Sequence, residues 1–196
     1  MSYVGIVATF VLAQNLALSR LLGLCPLVAI SRSRERALAI GCGILFVGSL
    51  TGMATWAVER LVLAPLGLGS LEMVAFMLVL AGVSRSMEAL ARATSPILHA
   101  ILAPHVEHTM TNSAILGVCL IAVESGFGVM QSFVAALAAA GGFCLAALIL
   151  ASIGGKLELE WVPRPLRGAP IALVSAGLLA LAFVAFDGMI PAGVAG

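Results

Sequence analysis

The stretch Asn15-Leu-Ala-Leu-Ser-Arg-Leu-Leu-Gly-Leu-Cys-Pro26 places polar residues, a glycine and a proline inside a segment that is otherwise apolar enough to lie in a bilayer. A second stretch, Thr111-Asn-Ser-Ala-Ile-Leu-Gly-Val-Cys119, does the same in the other half of the chain. Unpaired polar groups are costly in lipid, so such residues are normally excluded from it. We therefore expect the two stretches to form a buried site that a partner or a cofactor completes.

The composition around these stretches is that of an integral membrane protein. Of the 196 residues, 62% are hydrophobic and only 10% are charged, and the mean hydropathy is +1.17. Since a membrane-spanning helix needs about 20 apolar residues, the chain has room for about six spans and for no soluble catalytic domain. The net charge of +1 argues against a nucleic-acid partner, because phosphate binding needs clustered Lys and Arg. The first apolar run lacks the features of a removable signal peptide and is expected to remain as a helix.

Charged residues divide the sequence into apolar runs. These runs predict an all-α membrane protein with six helices, at about residues 3–30, 37–58, 71–91, 97–122, 129–153 and 169–187. Basic residues concentrate in the connections after the first, third and fifth runs: Arg32, Arg34, Arg36, Arg85, Arg92, Lys156, Arg164 and Arg167, against Arg60 alone in the others. The positive-inside rule makes the richer connections cytoplasmic, so both termini are expected on the periplasmic side of a bacterial inner membrane.

Three spans in each half make the first and fourth spans cross in opposite directions. The halves, about residues 1–95 and 96–196, are therefore predicted to be inverted repeats within a single transmembrane domain, residues 1–196. Gln14-Asn-Leu-Ala-Leu18 is similar to Thr111-Asn-Ser-Ala-Ile115, which supports this interpretation.

The first helix of each repeat is expected to be broken. The first run is longer than one crossing needs and contains Gly23 and Pro26, and Pro26 lacks the N–H of a helical hydrogen bond. His105, Glu107 and His108 interrupt the fourth run. Interrupted helices at matching places in two inverted halves point to a site near the bilayer midplane.

The residues alone leave several kinds of chemistry open. Cys25 offers a soft thiolate ligand, but an iron–sulfur cluster needs four ligands, so any cluster would be shared with another chain. Asn15 and Asn112 could instead line an ion or solute pathway, or hydrogen bond between helices. His105 and His108 could bind a divalent metal or mark the cytoplasmic mouth of the fourth span. The four cysteines show no CxxC spacing, and Cys42, in Gly41-Cys-Gly43, and Cys144, in Gly142-Phe-Cys144, are predicted packing positions.

Five motifs together resemble a known family, in order and over nearly the whole chain. They are Leu21-Leu-Gly-Leu-Cys-Pro26, Leu63-Ala-Pro-Leu-Gly-Leu68, Thr94-Ser-Pro96, Thr111-Asn-Ser-Ala-Ile-Leu-Gly117 and Gly168-Ala-Pro-Ile-Ala-Leu-Val-Ser-Ala-Gly177. The family is that of the A subunits of bacterial Rnf electron-transport complexes, and the E subunits of sodium-translocating NADH:quinone reductases are similar.

The resemblance implies a shared cofactor. In that family the A subunit pairs with a homologous subunit of opposite topology, the E subunit, and each chain gives two cysteines to an intramembrane [2Fe–2S] cluster. The first ligand matches Cys25, whereas the second falls on Ser113, where the family has cysteine. Serine can ligate iron as an alkoxide, a harder ligand with a higher pKa than a thiolate. Cys119 lies six residues further on, which is about 9 Å along a helix.

Three interpretations follow from the Ser113 replacement: a cluster with one serine ligand, a cluster completed elsewhere, for example by Cys119 or by His105 and His108, and a subunit that has lost the cofactor. An introduced Cys-to-Ser change would also account for it.

The function implied by the resemblance is that of a membrane subunit of an ion-translocating oxidoreductase. It would help to pass electrons through the bilayer, coupled to Na⁺ or H⁺ movement, while other Rnf subunits carry the NADH, ferredoxin and flavin chemistry. Cys25 is the predicted metal ligand, and Ser113 is the predicted second cofactor-binding residue. The residues predicted to support the helix breaks are Asn15, Gly23, Pro26, Asn112 and Gly117. The alternatives are a cofactor-free scaffold in the same complex and a small inverted-repeat transporter.

Overall fold

The computed structural model of this chain describes residues 3–13, 15–23, 34–94, 112–157 and 162–187, and within these ranges every regular element is helical. The α-helices are α1 (Tyr3–Ala8), α2 (Leu16–Ser19), α3 (Arg34–Val58), α4 (Ala64–Leu66), α5 (Glu72–Thr94), α6 (Ser113–Glu124), α7 (Val129–Leu157) and α8 (Ala169–Asp187). Thr9–Ala13 and Glu59–Leu63 are π-helical, and Gly69–Leu71 and Arg164–Leu166 are short 3₁₀ turns.

Three helical stretches among the described residues are long and apolar enough to cross a membrane. They are Ile40–Leu66, Gly69–Thr94 and Val129–Leu157, and they match the second, third and fifth predicted spans. The first predicted span corresponds to the helical segments Tyr3–Ala8, Thr9–Ala13 and Leu16–Ser19, and the fourth and sixth to the shorter apolar helices Ser113–Glu124 and Ala169–Ala185. Parts of the first and fourth predicted spans lie outside the described residues.

The centre of the fold is the crossing of α3 and α7. Gly41 packs against the Cys144 side chain, and further along α3 a Cβ added at Gly52 would lie 2.6 Å from the Ala136 Cβ. Later positions on α3 therefore contact earlier positions on α7, so the two helices run antiparallel. In lipid, the hydrophobic effect does not drive helices together, so they associate through van der Waals contact. Small residues allow the two backbones to approach closely enough to make that contact.

Helices α5 and α8 lie at the periphery. In the span that contains α5, 17% of the most apolar 18-residue window is buried, against 56% for α7, which identifies α7 as a core helix. Large apolar side chains on these two helices are exposed: Met73, Val74, Met77, Leu78 and Leu90 on α5, and Leu173, Val174, Leu178, Leu181 and Val184 on α8. An exposed apolar surface of this kind is suited to contact with lipid chains.

The first apolar run is interrupted earlier than Gly23 and Pro26 suggest. The π-helical turn ends at Ala13, Asn15 is extended with φ −62° and ψ 101°, and α2 then lasts only four residues. Leu21, with φ 51°, and Gly23, with φ 78°, adopt left-handed backbone conformations beyond α2. Pro26, the expected breaking residue, lies outside the described residues. The observed interruption thus depends on a capped helix start at Asn15.

Candidate functional site

Two buried asparagines begin the helices of the two polar stretches. The Oδ1 atom of Asn15 accepts a 3.2 Å hydrogen bond from the Ala17 N–H, and the Oδ1 atom of Asn112 accepts a 2.9 Å bond from the Ala114 N–H. The side chains are 1% and 0% exposed, respectively. Each asparagine is therefore an N-cap, which satisfies one of the backbone donors that a helix start leaves without a partner.

The remaining donor of Asn15 ties the first break to α7. Its Nδ2 atom donates to the carbonyl oxygen of Val11 at 3.1 Å and to that of Gly142 at 2.9 Å. A Cβ added at Gly142 would lie 2.8 Å from the Phe10 carbonyl oxygen and 3.1 Å from Asn15 Nδ2. Glycine is therefore required at position 142 for this approach.

The remaining donor of Asn112 has no such partner. Its Nδ2 atom is buried, and no hydrogen bond joins it to any part of the chain that the structure describes. A buried donor left unpaired costs about 1–3 kcal/mol. The two asparagines thus share a capping role but differ in what their amide nitrogens do.

Gly23 and Ser113 meet at a contact between the two polar stretches. The Gly23 N–H donates a 2.8 Å hydrogen bond to the Ser113 Oγ. A Cβ added at Gly23 would lie 2.9 Å from the Phe143 Cε2 and 3.0 Å from the Asn112 Oδ1, and its φ of 78° also favours glycine. We call Leu22, Gly23, Asn112, Ser113 and Phe143 the junction.

Gly117 lies one helical turn after Ser113 on the same face of α6. A Cβ added there would lie 3.3 Å from the Leu22 Cδ2. Residues four apart share one side of an α-helix, so Ser113 and Gly117 together contact the Leu22–Gly23 turn.

The structure thus brings together four of the predicted site residues, Gly23, Asn112, Ser113 and Gly117. Asn15 lies apart from them, against Gly142, the residue before Phe143. Cys25, Pro26, His105 and His108 lie outside the described residues.

Cys119 occupies a different place from Ser113. Because α6 is continuous from Ser113 to Glu124, the two residues are about 9 Å apart along its axis. The Cys119 side chain is 2% exposed and belongs to the hydrophobic core of the helices. Within the described ranges, no group of three or more His, Cys, Asp or Glu side chains could hold a metal ion. A metal centre at the junction therefore needs ligands from elsewhere.

Sequence reasoning missed two residues of this region. It treated Gly142 as one of the small residues for close helix contact and gave Phe143 no role, whereas the Gly142 carbonyl oxygen accepts a hydrogen bond from the Asn15 amide and Phe143 lies against Gly23. The signal available was the small-residue run of the fifth span, which predicts close approach but not which group approaches.

The comparisons with known proteins agree with this architecture. The sequence model of the Rnf-Nqr family, described as "Rnf-Nqr subunit, membrane protein", matches residues 3–190. The A subunit of the ion-translocating oxidoreductase complex of Syntrophotalea carbinolica is 40% identical over 181 residues, 92% of this chain and 94% of that protein. The protein of the same name from Edwardsiella ictaluri is 40% identical, over 96% of this chain and 97% of its own length.

A third relative carries a more specific name. The A subunit of the Na(+)-translocating ferredoxin:NAD(+) oxidoreductase complex of Acetobacterium woodii is 36% identical over 96% of this chain and 98% of that protein. Both the family match and these identities extend over nearly the whole sequence. The chain therefore belongs to the Rnf-Nqr family of membrane protein subunits.

Proposed function

We propose that this chain is the A subunit of an Rnf-type ion-translocating oxidoreductase in a bacterial inner membrane. The support is an identity of about 40% to proteins of that name over nearly their full length. Its partners would be the other Rnf subunits, among them a homologous subunit of opposite topology, and both of its own termini would be periplasmic.

The chain is proposed to be one transmembrane domain of two inverted halves. Asn15 and Asn112, which are 97 positions apart, adopt the same extended capping conformation. The first residues of α5 and α8, Glu72 and Ala169, are also 97 positions apart. The central helices of the proposed halves, α3 and α7, run antiparallel, as inversion of one half relative to the other requires.

Within this complex, Cys25 and Ser113 are proposed to hold one side of an intramembrane [2Fe–2S] cluster, and the homologous subunit the other side. The observation that carries the proposal is the Gly23 N–H to Ser113 Oγ bond of 2.8 Å. Cys25 follows Gly23 by two residues, so covalent geometry keeps their Cα atoms within about 7 Å. The two predicted ligands therefore belong to segments that meet.

The junction fits an anionic group, although its ligand is a hydroxyl instead of a thiolate. A backbone N–H directed at the side chain of residue 113 stabilises negative charge there, whether that side chain is an alkoxide or a sulfur. Cys25 and Ser113 supply two ligands at most, which is why a second chain is needed for the four that a cluster requires.

When bound, the cluster would supply one-electron transfer inside the bilayer. The residues of this chain would hold it and shield it from water: Ser113 and Cys25 as ligands, and Phe143 and Gly23 as close-packed neighbours. Limited water access keeps the surrounding dielectric low, which is one determinant of a cluster's potential. The electron flow would be coupled to Na⁺ or H⁺ transport by the assembled complex.

The test uses the whole complex, purified through a tag on another subunit. Iron content and the EPR spectrum of the reduced complex are compared among the unmodified chain, Cys25→Ala and Ser113→Cys, with Cys119→Ala as the control. We expect Cys25→Ala to lose the two iron atoms of one cluster and its signal, Ser113→Cys to keep the iron with altered g values, and Cys119→Ala to change neither.

Two outcomes would contradict the cluster proposal. Unchanged iron in Cys25→Ala, with normal assembly, would favour the cofactor-free scaffold. A chain that purifies without Rnf partners as an iron-free oligomer and transports ions would favour the small transporter.

A further inference from the structure

We propose that the last turns of α5 bind the headgroup of an anionic phospholipid, with an acyl chain of that lipid lying along the exposed face of the same helix. The headgroup site is a surface groove of about 400 Å³, lined by Arg85, Glu88, Ala89, Arg92 and Ala93. We call it the α5 groove. The inference goes beyond the proposed function, since it requires the membrane location of the chain but no cluster.

The two arginines of the α5 groove are held by one carboxylate between them. Arg85 Nη1 lies 3.1 Å from Glu88 Oε2, and Arg92 Nη2 lies 3.2 Å from Glu88 Oε1. The Glu88 side chain is 14% exposed, whereas the two arginine side chains are 67% and 68% exposed. Exposed ion pairs of this kind contribute little to stability. Here they place two accessible guanidinium groups beside one groove.

The charge of this trio favours a singly charged anion. Two arginines and one glutamate leave one positive charge, which a single phosphodiester would neutralise. Guanidinium groups match the geometry of phosphate oxygens better than an ammonium does. Ala89 and Ala93 are exposed and small, so a headgroup can approach the helix between the arginines, whose Cα atoms are about 10 Å apart along the axis.

The face of α5 that carries the arginines is apolar nearer the start of the helix. Leu78, Arg85 and Arg92 follow one another at intervals of seven residues, about two turns, so they lie on one side of α5. Val74 and Leu78 are 55% and 69% exposed. Between Leu78 and Arg85 the surface is open, because a Cβ added at Gly82 would have no described atom within 4 Å.

This order of chemistry matches a phospholipid and not a soluble anion. From the middle of the span towards its end, the face is first apolar and then basic, as an acyl chain is followed by a phosphate. Basic pockets on the cytoplasmic side of membrane helices recognise anionic headgroups. Under the proposed topology this end of α5 is cytoplasmic, so the groove lies at headgroup depth.

The experiment is photo-crosslinking of the intact complex in phosphatidylcholine vesicles. One sample contains a trace of phosphatidylglycerol with a diazirine on its acyl chain, and the parallel sample contains phosphatidylcholine with the same diazirine. Mass spectrometry locates the labelled peptides. We expect the anionic probe to label α5 about fivefold more than the zwitterionic probe, which is the preference that one net charge near the membrane surface provides.

Three variants test the origin of this preference. Arg85→Gln combined with Arg92→Gln removes the positive charge of the groove and should abolish the preference. Ala89→Leu keeps every charge but fills the groove, and it should abolish the preference as well. Lys156→Gln is the control, because it removes an exposed positive charge near the end of α7, outside the groove, and should leave the preference unchanged.

The proposal remains testable if the arginine variants fail to assemble. In the unmodified complex, added phosphatidylglycerol without a diazirine should compete with the anionic probe about fivefold more effectively than phosphatidylcholine does. Equal labelling of α5 by the two probes would overturn the proposal. So would a preference that survives in Ala89→Leu, which would indicate a diffuse positive field, or no labelling by either probe, which would indicate that another subunit covers the groove.

Discussion

Asn15 and Asn112 begin helices in the same way, yet they leave their amide nitrogens in opposite conditions. One nitrogen bonds two carbonyl oxygens, and the other is buried with no acceptor in the described part of the chain. The same capping geometry thus leaves one amide nitrogen bonded across the fold to α7 and the other buried without an acceptor among the described residues.

The residue opposite the Asn15 cap explains how the amide nitrogen of Asn15 finds an acceptor. Asn15 reaches the Gly142 carbonyl because position 142 has no side chain. Under the proposed inverted repeat, the equivalent of Gly142 is Leu45, which is 97 positions earlier and packs near Gly141 on α7. Position 45 therefore carries a large side chain where its counterpart in α7 carries none.

The largest expected effect comes from giving position 142 the leucine that its counterpart, position 45, carries. Gly142→Leu would put a side chain onto the Phe10 carbonyl, the Val11 backbone and the Asn15 amide. Overpacking against backbone, with loss of the Asn15 bond, should destabilise the chain by about 3 kcal/mol or more. The measurement is complex yield and thermal denaturation in detergent.

The matched control for that substitution is Gly177→Leu in α8, where a Cβ would have no neighbour within 4 Å among the described residues. It should assemble normally. Equal losses in the two variants would contradict the close approach at Gly142.

The next effect concerns the junction. Gly23→Ala would place a methyl group against Phe143 and the Asn112 Oδ1 and would also strain a left-handed backbone. Gly67→Ala carries the backbone strain alone, since its φ is 64° and no described atom lies within 4 Å of its Cβ position. We expect a loss of about 1 kcal/mol for Gly67→Ala from strain and about 2–3 kcal/mol for Gly23→Ala from strain plus overpacking.

Equal losses of stability in Gly23→Ala and Gly67→Ala would show that the packing around Gly23 does not matter. The measurement is the thermal denaturation of each variant, purified within the complex by the same procedure.

The smallest effect tests the asparagine pair directly, in complex depleted of iron. Asn15→Ser should lower stability by about 1 kcal/mol, because membrane side-chain hydrogen bonds contribute roughly 0.6–2 kcal/mol. Asn112→Ser should change it by less than about 0.5 kcal/mol, since the serine oxygen can replace the cap to the Ala114 N–H and the lost amide nitrogen has no acceptor among the described residues. A larger loss of stability in Asn112→Ser than in Asn15→Ser would contradict the proposed difference between the two asparagines.

Sequence reasoning predicted the membrane class and the importance of the two asparagines, because both follow from local composition. The all-helical class and membership of the Rnf-Nqr family are confirmed. It named Asn15 as a support of the first break but expected the break itself near Gly23 and Pro26, since a capped start after a π-helical turn has no proline or glycine to mark it. Nor could it pair Asn15 with Gly142, which lies 127 residues away and depends on how α7 packs.

The site shows the same limit. The predicted residues Gly23 and Ser113 are adjacent through a bond that joins positions 90 residues apart. No local pattern encodes that contact; the two polar stretches and their matching interruptions predicted a shared site, and the family resemblance pointed to particular residues within it. Whether they share a cofactor remains a prediction about the assembled complex.

The most direct measurement of the central claim is a cryo-EM map of the reduced complex at a resolution that separates side chains. The account predicts density for a compact metal centre that contacts Cys25 and Ser113 of this chain and two side chains of the homologous subunit. A map with Cys25 packed among aliphatic side chains, remote from Ser113 and from any other subunit, would contradict it.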